Sequence, residues 1–136
     1  MAHAKFRAEV LTPEGEVFND EVEMVSTRTT LGQVGILANF APLLGMLDPT
    51  ELRLYKSETE IVRFAQAEGY LQVGNNHALL LVEEAHAPEA LDAADLRERL
   101  RQAEEELTQA GDDTERRRVA ERDKLRLEQF LQIAHS

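Results

Sequence analysis

The sequence predicts an α+β chain: an N-terminal antiparallel β-sandwich over residues 1–87, then a C-terminal antiparallel two-helix hairpin over residues 88–136. Two observations carry that reading. Turn residues recur every eight to twelve positions up to about residue 85 and then stop, and beyond Ala87-Pro88 the composition shifts to Ala, Leu, Glu, Arg and Gln. Closely spaced short strands with turn-rich joints imply antiparallel pairing rather than a parallel sheet with crossover helices. The later composition is that of helix.

The turns fall at Pro13-Glu14-Gly15, Asn19-Asp20, Gly32, Gly35, Pro42, Asp48-Pro49, Gly69 and Gly74-Asn75-Asn76. Between them, the runs 6–11, 21–26, 51–55, 59–65, 70–73 and 77–82 are rich in Val, Leu, Ile, Phe and Tyr and read as strands. Alternation at period two sets Val22 with Met24, Leu52 with Leu54, and Val62 with Phe64 on common faces. Gly74-Asn75-Asn76 suits a tight hairpin because Gly and Asn tolerate positive φ. Gly32 and Gly35 match neither a phosphate-binding loop nor a dinucleotide fingerprint. They read as a turn whose backbone only glycine fits.

In the last third, Leu96, Leu100, Ala103 and Leu107 recur at helical spacing with Asp92 placed as the N-cap. Gly111 ends this helix, and Asp112-Asp113-Thr114-Glu115 supplies a cap and an acidic third position for a second one. Ala120, Leu127, Leu131 and Ala134 form the second apolar stripe, so the two helices pair as a hairpin.

The chain has 136 residues, with 26 acidic against 15 basic side chains and a net charge of −11. That excess argues against wrapping nucleic acid, whose phosphates call for clustered Lys and Arg, and against an anionic lipid surface. The absence of cysteine excludes disulfides, thiol catalysis and thiolate metal sites. His3, His77, His86 and His135 share no metal-ligand spacing, so no metal site is expected. Ser26, Ser57 and Ser136 lie in no nucleophile elbow. Glu104, Glu105 and Glu106 point to different sides of a helix, as a solvated face does. No catalytic constellation is expected, and the lack of a long apolar run or a signal core makes the chain a cytoplasmic one by expectation.

Basic residues are concentrated late: residues 91–136 hold nine of the fifteen, eight of them arginine. Arg97 and Arg101 are four apart, as are Arg118, Arg122 and Arg126, so like charges stack along each helix. Arg97 and Arg122 have no acid three or four positions away. Either they meet acids across the hairpin, or they await an external anion such as a nucleotide or an acidic protein segment.

The stretch Val10-Leu-Thr-Pro-Glu-Gly-Glu-Val-Phe18, then Val22-Glu-Met-Val25, then Gly32-Gln-Val-Gly-Ile-Leu37 and Ala41-Pro-Leu-Leu44 resembles the epsilon subunit of F-type ATP synthases. Ala67-Glu-Gly-Tyr-Leu-Gln-Val73 resembles its second signature, and the likeness extends through the hairpin. The resemblance implies a non-catalytic rotor component on the cytoplasmic face of a bacterial membrane, peripheral to it. Its sandwich would dock on the gamma subunit and the c-ring. Its hairpin, folded or extended, would reach the alpha and beta subunits of the catalytic head, with arginines meeting an acidic beta segment, and restrain ATP hydrolysis.

Two departures from the family pattern stand out. Ala38-Asn39-Phe40 replaces a Pro-Gly-His, which would put an aromatic at a contact surface. Some bacterial members bind ATP in the folded hairpin through Ile/Leu-Asp-x-x-Arg-Ala. Here Leu91 and Asp92 match, but Asp95 and Leu96 stand where the motif has Arg and Ala. A carboxylate repels phosphate. Against that repulsion, the alternative reading is an ATP-sensing switch in which ATP is a regulatory ligand, not a cofactor, held by Asp92, Arg122 and Arg126.

Overall fold

A computed structural model describes residues 3–135. The chain divides into two compact units, Met1–Ala87 and Pro88–Ser136.

The first unit is built of ten strands: β1 (Phe6–Thr12), β2 (Gly15–Val22), β3 (Met24–Thr29), β4 (Gly32–Leu37), β5 (Leu43–Leu47), β6 (Thr50–Tyr55), β7 (Ile61–Gln66), β8 (Gly69–Gly74), β9 (His77–Val82) and β10 (Ala85–His86). They form one sheet in the order β10-β7-β6-β3-β5-β8-β9-β1-β2, with β4 added on β3. Its halves fold together into the expected sandwich. Phe6, Val10, Val25, Ile36, Leu52, Leu54, Leu71 and Leu80, drawn from both halves, share one buried cluster. Each such side chain contributes about 1.5–3 kcal/mol through the water it sheds.

Most ladders are antiparallel, as the turn spacing predicts, but β1 runs parallel to β9, from Arg7↔His77 to Leu11↔Leu81. The two strands lie far apart in sequence, so no hairpin dictates their direction. Asn75 and Asn76 do adopt positive φ, 50° and 59°, in the two-residue β8–β9 turn. Leu52 and Leu54 share the core face, and Val62 and Phe64 pack against it.

Several sequence expectations need correction. The run 21–26 is two strands, parted at Glu23, whose N–H donates to the Tyr55 carbonyl at 2.7 Å. Val22 is fully buried whereas Met24 is only half-buried. Asn19 and Asp20, read as a turn, lie inside β2. There Arg7 Nε donates to Asn19 Oδ1 at 2.7 Å and Lys56 Nζ lies 3.0 Å from Asp20 Oδ2, so polar side chains settle an edge strand. Gly35 lies inside β4 opposite Ser26, and only Gly32 (φ 127°) holds a backbone that excludes other residues. Phe40 is half-buried and packs against the core, and the preceding Asn39 takes a positive φ of 64°.

The second unit opens with a short 3₁₀ turn, Pro88–Ala90, followed by α1 (Ala93–Ala110) and α2 (Thr114–Ala134). Asp92 caps α1, accepting from the N–H groups of Ala94 and Asp95 at 3.0 and 3.1 Å. Gly111 closes α1 at φ 55°. The second cap is Asp113, one residue later than a capping box ending on Glu115 requires, so Glu115 supports the helix dipole rather than the box. The seam joins Leu96, Ala103 and Ala110 to Ala120, Leu127, Phe130 and Ile133. Phe130 and Ile133 take the inward places expected of Leu131 and Ala134, which are half-buried, because the stripe drifts around a 3.6-residue helix. Among the described residues no helix is long and apolar enough to cross a membrane.

Candidate functional site

An antiparallel sheet with one wet face alternates apolar-in and polar-out. The run β5–β8–β9–β1 breaks that rule. Register sets Met46 opposite Tyr70, Tyr70 opposite Leu81, and Leu81 opposite Leu11, so one apolar row crosses four strands. The next row is Leu44, Gln72, Leu79 and Glu9. Leu44 is 79% exposed, Tyr70 62% and Met46 57%. Leu44, Met46, Tyr70, Leu79 and Leu81 line a shallow groove of about 400 Å³. A contiguous apolar patch with polar neighbours marks an interaction surface. At the β3–β4 turn a second apolar feature stands alone: Leu31, 98% exposed.

The sequence contains a sign of this face. His77-Ala-Leu-Leu-Leu-Val82 does not alternate, so Leu79 and Leu81 must point away from the core that takes Ala78, Leu80 and Val82. The same holds for Leu43-Leu44.

In the hairpin unit four of the eight arginines, Arg101, Arg117, Arg118 and Arg122, pair with acids on their own helix. Arg101 reaches Glu98 at 2.7 Å and Glu105 at 2.8 Å, and Arg118 reaches Glu115 at 2.6 Å. These guanidiniums hold the Glu98 and Glu115 carboxyls below the usual carboxylate range, and the carboxylates raise Arg101 and Arg118 in turn. One pair spans the hairpin, Arg116 with Glu106 at 2.6 Å. Arg122 meets its sequence neighbour Asp123 at 3.3 Å, a partner that helix-spacing rules do not consider. Among the described residues Arg97 and Arg99 make no ion pair.

A cleft of about 350 Å³ opens between α1 and α2, lined by Arg99, Gln102, Glu106, Asp123 and Arg126. It contains Arg126 of the sequence-derived set and adds Arg99, which lies one helical turn after Asp95. Arg122 does not line it, although its partner Asp123 does. Asp92 stands apart, seven residues before Arg99 and so about 10 Å away along the helix axis. Its carboxylate is spent on capping.

Residues 5–88 match the family described as the ATP synthase Delta/Epsilon chain beta-sandwich domain. That is well over half of the chain. The chain belongs to the ATP synthase epsilon family.

Relatives extend the likeness past the sandwich. The ATP synthase epsilon chain of Priestia megaterium is 39% identical over 105 residues, 76% of this chain and 77% of the relative. That of a Sulfurihydrogenibium species is 30% identical over 129 residues, 95% and 96% of the two chains. Among solved structures, a chain of the Euglena gracilis mitochondrial ATP synthase superposes with a TM-score of 0.81 at 19% identity, covering 100% of this chain and 84% of its own. A chain of the Tetrahymena thermophila mitochondrial ATP synthase central stalk/c-ring gives 0.62 at 16% identity, covering 98% and 99%. At such low identity these two establish the shared fold alone.

Proposed function

We propose that this epsilon-family chain docks through the outward face of β5–β8–β9–β1 onto the gamma subunit of a proton-translocating F-type ATP synthase, with the Leu31 turn against the c-ring. It would serve as a non-catalytic coupling piece between ring rotation and the catalytic head, on the cytoplasmic face of a bacterial membrane. The row Met46, Tyr70, Leu81 and Leu11 carries this reading, because a free subunit gains nothing by exposing it. The hairpin would meet the alpha and beta subunits and restrain ATP hydrolysis. Arg97 and Arg99, without internal ion pairs, suit an acidic partner segment. The test is reconstitution of the enzyme with the full chain or with one ending at Ala87. Both should assemble, and only the full chain should slow hydrolysis; equal rates would remove the inhibitory role.

The cleft between the helices supports a second reading, an ATP-sensing hairpin in which Arg99 and Arg126 hold phosphates, with Arg122 paired to the lining Asp123. Calorimetry of the full chain with ATP tests it. Binding weakened by Arg126→Ala favours the sensor, and no binding at millimolar ATP leaves the mechanical role alone.

A further inference from the structure

The apolar groove runs between two ends of opposite charge. Strands β1 and β9 are parallel, with Arg7 and His77 at one end and Leu11 and Leu81 toward the other. There a smaller hollow of about 270 Å³ shares Tyr70 and Leu81 with the groove and carries it on to Pro13 and Glu83.

At the first end Lys5 precedes β1, Arg7 lies within it, and Glu21 of β2 stands opposite Arg7. The balance is one positive charge, before any charge on His77 is counted. Glu9 lies midway, 3.4 Å from His77. At the second end Glu83 follows β9, Glu16 stands opposite Leu11, and Glu14 occupies the β1–β2 turn. Asp48 and Glu68 adjoin the same ends of β5 and β8, and Arg28 joins them through its carbonyl, which accepts from the Asp48 N–H at 3.0 Å. Five acids and one base leave that end with four negative charges.

From His77 to Glu83 is six residues, about 20 Å of strand. The screening length in physiological salt is about 8 Å, so the two ends do not cancel one another. Nor are they neutralised from within. Among the described residues no ion pair engages Lys5, Arg7, Glu14, Glu16 or Glu83. Instead Arg7 Nε donates to Asn19 Oδ1 at 2.7 Å, and Asn19 Nδ2 donates to Glu16 Oε1 at 2.8 Å, so an uncharged side chain holds both. Elsewhere in the sandwich Lys56 pairs with Asp20 and Glu60, and Arg53 and Arg63 share Glu51.

Resting on the docking reading above, we propose that these ends fix the direction of the partner: the gamma segment seated in the groove brings basic side chains to Glu16 and Glu83 and an acidic one to Lys5 and Arg7. Apolar contact alone does not distinguish a segment from the same segment turned end for end. Charge does, because the reversed segment sets like charges against each other.

The test is the association rate of the full chain with the gamma subunit, at low salt and at about 0.5 M salt. Glu16→Lys with Glu83→Lys should slow association about fivefold to tenfold at low salt, and Lys5→Glu with Arg7→Gln should slow it likewise. Both differences should vanish at high salt, with dissociation little changed. Lys5→Glu alone, a side chain with no internal partner, covers the case in which Arg7→Gln loosens β2. The second pair separates direction from overall charge: attraction between an acidic chain and a basic partner would make a more acidic variant bind faster. A rate that rises or stays unchanged in either pair overturns the directional reading and leaves the docking surface standing. No binding of the unaltered chain overturns both.

Discussion

Thr27 Oγ1 donates to Gln66 Oε1 across 2.6 Å between two fully buried residues, one on β3 and one on β7. Gln66 Nε2 in turn donates to the carbonyls of Asp48 and Ala67 at 3.0 and 3.1 Å. One glutamine thus satisfies a hydroxyl and two chain carbonyls inside the sandwich. Thr27→Val would leave Gln66 Oε1 unpaired and should cost about 1–3 kcal/mol. Gln66→Leu should cost more, because two carbonyls lose their donor. In a double-mutant cycle read by chemical denaturation, Thr27→Val should cost little once Gln66→Leu is present. Additive effects would mean that the pair does not act as a unit.

Gly69 is fixed by space rather than by φ. A Cβ there would stand 1.9 Å from the Leu81 carbonyl oxygen and 2.8 Å from Val82 Cα, both backbone atoms that cannot rotate away. Gly69→Ala should therefore part β8 from β9 and cost roughly 3 kcal/mol or more, as severe overpacking does. At Gly35 the nearest atom to an added Cβ is Met24 Sδ at 3.8 Å, an ordinary contact. Gly35→Ala should change stability by less than about 1 kcal/mol. Thermal melts of the two variants, run side by side, check the contrast.

How far the sequence alone reaches follows from such particulars. The sandwich-plus-hairpin class, the Asn75-Asn76 turn and the Asp92 cap were legible, because each rests on local chemistry: turn spacing, tolerance of positive φ, a carboxylate before a helix. The parallel β1–β9 ladder was not, since pairing between distant strands leaves no local mark. Asn19-Asp20 reads as a turn by propensity and forms a strand because Arg7 and Lys56 meet its side chains from elsewhere in the fold. The exposed apolar face sat in plain view in Leu79-Leu80-Leu81, yet three adjacent leucines do not say which faces out until register is known. Arg99, one turn beyond Asp95, falls outside the motif spacing and joins the cleft only through the pairing of the two helices.

The apolar face makes a prediction about separating folding from assembly. Leu44 and Met46 point outward from β5 and touch little of the core, so Leu44→Asp or Met46→Asp should shift stability by no more than about 0.5–1 kcal/mol. On a docking surface the same substitution strands a charge against apolar neighbours. The expected outcome is a normally folded chain that fails to co-purify with the gamma subunit. Retained co-purification with both variants would place the interface elsewhere.

Acid should loosen the hairpin. In the folded state Glu98 and Glu115 are held below the ordinary carboxylate range, chiefly by hydrogen bonds from Arg101 and Arg118. For a carboxylate with a depressed folded value, the stabilisation is present above its unfolded value, near pH 4.5. It is lost as pH falls through the folded value. The raised arginine values lie beyond any working pH and contribute no dependence of their own. These groups are exposed, so each contribution is small and screened by salt. Helical far-UV signal should therefore be flat from pH 9 to pH 5 and decline below about pH 4.5, and 1 M salt should shrink the difference. With Arg101→Gln and Arg118→Gln together the decline should be shallower, because the carboxylates then have no preferred charged state to lose. An unchanged acid profile in that variant would show that the ion pairs do not stabilise the helices.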